Sequence, residues 1–226
     1  MDIFLGKPSD GTFDWILGHA DPLQVPFWIE CTSGTSKLFL GGGARRNFEY
    51  SSDGCRTWTK FFSSEQIQIQ EGQRIYFRAD GFVDGVTNQF TTDTQIRTRI
   101  GGNIMSLLWN TGYARKTDFS ELTNQSFSML FSNHALGIVD ASELLLPATT
   151  LREYEYSSMF SGQREMLYAP KFPATSIANS CYNGMFQECS KLKEIVFPKV
   201  LENDETFLGM NGSPKFGAEN ATVLFV

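Results

Sequence analysis

The chain has 226 residues, a formal net charge of -6 and a pI near 5.0. A duplex-binding surface needs clustered Lys and Arg against phosphates. The only dense basic spots, Arg45-Arg46 and Arg97 with Arg99, read as decorated strands or turns, so nucleic acid is discounted as a partner. No apolar run approaches the roughly 20 residues that span a bilayer, and Met1–Pro8 has no basic n-region and no long apolar core. The expectation is a protein made in a cytoplasm, neither inserted in a membrane nor exported by a secretory signal. With 41% hydrophobic residues, 20 Phe, 20 Gly and only 19% charge, the composition predicts a mainly β protein with a substantial core, tight turns and short helices.

Residues 1–24 carry Gly6, Pro8, Gly11, Gly18 and Pro22 among the apolar Phe4, Phe13, Trp15, Ile16 and Leu17. No period of 2 or 3.6 runs through them, so they read as an arm. Free in water, those five side chains would expose apolar surface, which marks them as candidate partner-binding residues.

Residues 25–105 read as a small antiparallel β-sandwich. Phe27–Cys31 and Lys37–Leu40 flank Ser33-Gly34-Thr35, a hairpin signal. Phe48–Ser51 leads through Ser52-Asp53-Gly54 to the alternating run Thr57–Phe61. Ile67–Gln70 alternates strictly, Glu71-Gly72 forms a turn, and Arg74–Ala79 follows as a strand. Phe90, Ile96 and Ile100 continue the pattern more weakly.

Residues 106–226 change to a longer period. Phe127, Leu130 and Phe131 align with Tyr156, Met159 and Phe160, and these with Tyr182, Met185 and Phe186. The i, i+3, i+4 spacing predicts one face of a short helix in each unit. Phe207 and Met210 repeat the first pair, and the steps are 29, 26 and 25 residues. A second element, Leu144–Thr150, recurs at Lys171–Ser176 and more loosely at Ile195–Lys199, and Thr222–Val226 reads as a final strand. One such unit cannot bury its own apolar face, so the units are expected to stack.

LLPATTL (145–151), SSMFSG (157–162), VDASELLLPAT (139–149) and FPATSIANSCYNGMFQECSKL (172–192) carry a resemblance. They resemble the BspA-type leucine-rich repeats of Bacteroidetes surface proteins and of phages infecting those bacteria. Pro173, Ala174, Thr175, Cys181, Tyr182, Met185, Phe186 and Cys189 match the family pattern, whereas the preceding unit has Glu155 and Gln163 where the second has Cys181 and Cys189. FEYSSDGCRTWTKF (48–61), EGQRIYFRADG (71–81) and GGNIMSLL (101–108) resemble the β domain that precedes such repeats. The resemblance implies a C-terminal leucine-rich-type repeat stack. It also implies a virion structural protein, namely a head fibre, a capsid decoration or a tail-associated protein of a phage that could be crAss-like. The expected partners are other virion proteins held through the arm, a host-surface glycan or protein, and further copies in a homo-oligomer. A bacterial surface adhesin or a carbohydrate-binding module is the alternative.

Chemistry leaves little trace. No GxSxG, HExxH, P-loop or GxGxxG motif occurs. Gly41-Gly42-Gly43 reads as a flexible hairpin or bulge, and Asp80-Gly81 with Asp84-Gly85 as two turns rather than a calcium loop. Glu202, Asp204 and Glu205 read as a solvated loop before a short helix, and His134 as a surface or turn histidine. Cys31, Cys55, Cys181 and Cys189 lack paired ligand spacing for zinc. Cys181 and Cys189 read as buried hydrophobes, with a disulfide between them left open. No catalytic residue, metal or cofactor is expected. Trp28, Trp58, Tyr50 and Tyr76 fall on predicted strands, where they either fill the core or stack on sugar rings.

Overall fold

A computed structural model describes residues 21–41, 48–61, 65–79, 89–120 and 127–226. The protein is mainly β, with several small sheets and few short helices. The strands are β1 (Phe27–Ser33), β2 (Thr35–Gly41), β3 (Glu49–Ser51), β4 (Thr59–Lys60), β5 (Ile67–Gln70), β6 (Arg74–Arg78) and β7 (Gln89–Thr92). They continue as β8 (Arg97–Asn103), β9 (Ile138–Leu145), β10 (Thr150–Leu151), β11 (Ser176–Ile177), β12 (Glu194–Phe197) and β13 (Thr222–Phe225). The single α-helix among the described residues, α1, covers Glu205–Leu208.

A six-stranded sheet runs β4-β3-β6-β1-β8-β9 and a three-stranded sheet runs β5-β2-β7. The hairpin expected at Gly34 is not a hairpin, and the turn expected at Glu71-Gly72 is present but joins strands of different sheets. β1 pairs with β6 and β8, while β2 pairs with β5 and β7, so each turn carries the chain from one sheet to the other. Hydrophobic patterning gives the reason. Ile29 and Cys31 must bury on one side, and Leu38 and Leu40 from the opposite side, which an arch allows and a flat hairpin does not. The two arches nest on each other, since Glu71 N–H donates to Gly34 O at 3.0 Å and Gly72 N–H to Cys31 O at 2.8 Å. Between the sheets, Phe77 and Phe90 lie 5.0 Å apart and Phe27 and Phe90 5.5 Å apart, measured between ring centroids. The β3–β4 connection is a true hairpin, held by Asp53, which accepts from Ser51 Oγ, Thr57 Oγ1 and the amides of Arg56 and Thr57.

The boundary drawn after residue 105 falls inside this sheet. β9 joins β8 in parallel, and the ladder continues as Ala141 N–H donates to Tyr168 O and Leu167 N–H to Val139 O, each at 2.9 Å. Residues 21–24, assigned to the arm, belong to the fold. Asp21 caps a 3₁₀ turn at Pro22–Gln24, and Asn103 Nδ2 donates to Leu23 O at 3.0 Å. The rest of the arm lies outside the described residues.

Beyond β9 the chain winds in stacked coils. Thr150 pairs with Ser176 and Leu151 with Ile177 in parallel, and Glu194–Phe197 pairs with Thr222–Phe225 likewise. The aligned trios are buried as expected, but 127–131, 156–160 and 182–186 are runs of turns rather than helices. Their amides alternate. Ser157, Met159 and Ser161 donate three residues back within their own coil. Tyr156, Ser158, Phe160 and Gly162 donate to Cys181, Asn183, Met185 and Gln187 O of the next coil. A helix would use every amide internally. Here Tyr154, Ser158 and Gly162, and again Ser180, Gly184 and Glu188, take positive φ, which reverses the helical sense every fourth residue. Inside, the rings of Phe90, Phe131, Phe160 and Phe186 form one column with centroid steps of 6.1, 5.6 and 5.6 Å. Met159, Phe160, Met185 and Phe186 have no exposed surface. Phe186→Ala is expected to cost roughly 3–5 kcal/mol, the range for a buried Phe. Thermal or urea melting checks this, and a wild-type midpoint would break the alignment of the coils.

Candidate binding surface

The five arm residues proposed from sequence, Phe4, Phe13, Trp15, Ile16 and Leu17, lie outside the described residues, as do Arg45-Arg46, Gly42-Gly43 and the Asp80–Gly85 turns. The remaining candidates fall into place one by one. Asp204 caps α1 by accepting from Phe207 N–H at 2.8 Å, and Glu202 pairs with Lys199 at 2.8 Å. Two of the three acidic residues thus serve local structure, and Glu205 stands exposed in the first turn of α1. His134 is exposed and opens a 3₁₀ turn at His134–Leu136. Among the described residues no group of three or more His, Cys, Asp or Glu is placed to hold a metal ion, and no helix is long and apolar enough to cross a membrane.

Trp28 and Tyr76 do not fill the space between the sheets, nor do they offer a stacking platform. They lie on the outer face of the six-stranded sheet with Cys55 and are only 2% and 8% exposed. The Trp28 ring lies across Gly101, where an added Cβ would meet its Cζ2 at 2.2 Å. Its other cover is the Arg74 guanidinium, 3.8 Å from the ring centroid, and Arg78 sits 4.0 Å from the half-buried Trp58 ring. Cation–π contact on this face is reinforced by ion pairs. Arg74 binds Glu30 at 2.5 Å, Arg78 binds Glu49 at 2.7 Å, and Arg99 reaches Glu30, Asp140 and Glu143. Tyr50 instead packs edge-on to Phe61, at 5.9 Å, against the main core.

The coils explain the exchange of Gln163 for Cys189. Gln163 Nε2 donates to Phe131 O at 2.6 Å and Asn133 O at 2.7 Å, and its Oε1 accepts from Ile138 N–H at 2.8 Å. Cys189 Sγ donates to Phe160 O at 3.2 Å. Both side chains therefore reach back to the carbonyl of the matching Phe one coil earlier. Glu155 is fully buried, as is Cys181 at its matching position.

The outward side of the turn runs was not singled out from sequence. Between the buried trio members stand Ser128, Met129 and Ser132, then Ser157, Ser158 and Ser161, then Asn183, Gly184 and Gln187. Ser128 Oγ donates to Ser157 O and Ser157 Oγ to Asn183 O, each at 3.2 Å, while Asn211 N–H donates to Asn183 Oδ1 at 3.1 Å. These bonds form a polar ladder from coil to coil. Residues 127–133, 156–163, 179–187 and 209–214 contain no Asp, Glu, Lys or Arg, although charged residues make up 19% of the chain. Within the first segment Met129 is 42% exposed, and just before the second Tyr154, flanked by Glu153 and the buried Glu155, is 41% exposed. The two are linked through one residue, since Met129 N–H donates to Ser157 O and Ser157 N–H to Tyr154 O. The available signal was the run of Ser, Asn and Gly between the apolar trio positions.

No family model, curated protein or solved structure matches this chain.

All four cysteines are free and buried. Burial raises the Cys31 thiol, raises Cys181 further, and pushes Cys55 and Cys189 up to about 12. Only thiolate reacts with aromatic disulfides. The native protein at pH 8 is therefore expected to release almost no colour from such a reagent, and the unfolded protein close to four equivalents. Two equivalents after unfolding would mean that one pair of cysteines is joined, against the four free thiols.

Proposed function

We propose that this chain is a non-enzymatic virion structural protein, a head fibre, capsid decoration or tail-associated protein of a phage of Bacteroidetes, acting in assembly and host-surface recognition. Its coils are read as a short BspA-type leucine-rich stack. The observation that carries the reading is the fixed register of the coils. Left-handed positions 154, 158 and 162 recur at 180, 184 and 188, and Thr150-Leu151 pairs with Ser176-Ile177 at the same offset of 26 residues. That is the behaviour of a solenoid whose units contact only their neighbours. Many polar groups of the coils bridge coils or pair at the surface, as Ser157 does with Asn183 O and Arg164 with Glu188 at 2.6 Å. Such a body works through extended surfaces.

The arm is the proposed anchor. Leu23 is tied to β8, so residues 1–20 join the fold at the sheet end rather than beside the last coil. An apolar segment attached there suits docking on a capsid or tail subunit, with the coils facing outward. Deletion of residues 1–20 is expected to leave the melting temperature nearly unchanged and to abolish incorporation, measured by mass spectrometry of purified particles. Incorporation of the truncated chain at wild-type occupancy would sink the anchor. Absence of the intact chain from particles would sink the virion assignment.

A further inference from the structure

We propose that the outward side of the turn runs is a binding surface for an uncharged, polyhydroxylated ligand, a neutral glycan chain. This deepens the recognition role above and rests on it.

Three observations select the ligand class. The first is charge. The turn segments 127–133, 156–163, 179–187 and 209–214 hold no Asp, Glu, Lys or Arg, and at their margins Glu188 is paired with Arg164 while Glu153 stands beside Tyr154. A nucleic acid or sulfated polymer needs basic partners, and a charged peptide needs opposite charges for complementarity. Neither finds them here. The second is hydrogen-bonding chemistry. Hydroxyl and amide side chains recur in register, with Ser128, Ser157 and Asn183 one above another along the ladder. Each uses one bond to reach the next coil, and a hydroxyl or amide keeps further donor or acceptor capacity for a ligand. Neighbouring coils repeat these groups at about 4.8 Å, the spacing of hydrogen-bonded strands. A chain of hydroxyl-bearing rings lying along the stack would meet a fresh pair at every coil.

The third is an exposed ring beside the ladder. Tyr154 and Met129 are the large apolar side chains on this face, each about two-fifths exposed. Tyr presents an apolar body and a polar tip, which suits the C–H face of a sugar and an equatorial hydroxyl together. On the sheet, the corresponding faces of Trp28 and Trp58 are already covered by Arg74 and Arg78. A sugar platform is open on the coils and closed on the sheet.

The chain itself suggests the variants. In the next coil the place of Tyr154 is taken by Ser180, and the row of Met129 continues as Ser158 and Gly184, all at positive φ. Tyr154→Ser with Met129→Gly therefore introduces residues that this backbone already accommodates. The full chain is run in affinity gels containing yeast mannan, laminarin or dextran, with polygalacturonate and heparin as anionic comparisons. At least one neutral polymer is expected to retard the wild type. The double variant should melt at the same or a higher temperature and bind at least about tenfold more weakly, a loss of some 1.4 kcal/mol. Tyr154→Phe, which keeps the ring, should retain most of the binding, and it carries the test if the double variant fails to fold. No retardation by any neutral polymer, retardation by the anionic polymers alone, or binding undiminished in Tyr154→Ser would overturn the proposal. Each of those results leaves particle incorporation to be scored separately, so glycan binding and virion membership fail independently.

Discussion

In the first two turn runs every second amide has its acceptor in another coil. Met129 and Phe131 donate to Ser157 and Met159 O. Tyr156, Ser158, Phe160 and Gly162 donate to the coil after that, and Phe186 donates to Phe216 O. A buried amide left without a partner costs about 1–3 kcal/mol. A single coil would thus carry several such costs together with an unburied row of rings. The stack removes both at once, which is why the coils hold together only as a set. The side chains follow the same rule. Gln163 and Cys189 differ in every chemical respect except that each offers a donor at the right place for the carbonyl of the preceding Phe.

The sheets and the coils are one body because the core does not stop between them. The parallel β8–β9 pair passes the ladder from the six-stranded sheet to the coils, and Phe90 hands the ring column to Phe131. Apolar burial and hydrogen bonding cross the junction at the same point. Force or distortion applied at one end is therefore transmitted through packed rings rather than absorbed in a linker.

Much of this was legible in the sequence, and the misreadings share a cause. Strict alternation located Ile67–Gln70 as a strand, and the i, i+3, i+4 trios identified the buried residues correctly. The conformation of the trios was not legible, because a helix and a run of reversed turns bury the same positions. What separates them is the donor pattern, which depends on a coil more than 20 residues away. The arch at Gly34 was mistaken for a hairpin for a similar reason. Gly34 permits either turn, and the choice is made by which sheet each strand joins. Trp28 was misplaced because Phe27, Trp28 and Ile29 are all buried, on two sides of one strand, and only Gly101 on the neighbouring strand makes room for the indole. The neutral face escaped notice because a lack of charge has no motif.

The alternation of amides also sets a parity on the chain. Forward bonds span 28 residues from Met129 and Phe131 but 25 from Tyr156 through Gly162 and 30 from Phe186. These differences in length are taken up between the turn runs, where a residue more or less changes only a connection. Within a run, one inserted residue would swap the amides that face the next coil with those that close a turn, and two would displace the left-handed positions that recur every fourth residue. Coils of this kind can lengthen or shorten freely at their corners, while their turn runs can change length without penalty only in steps of four.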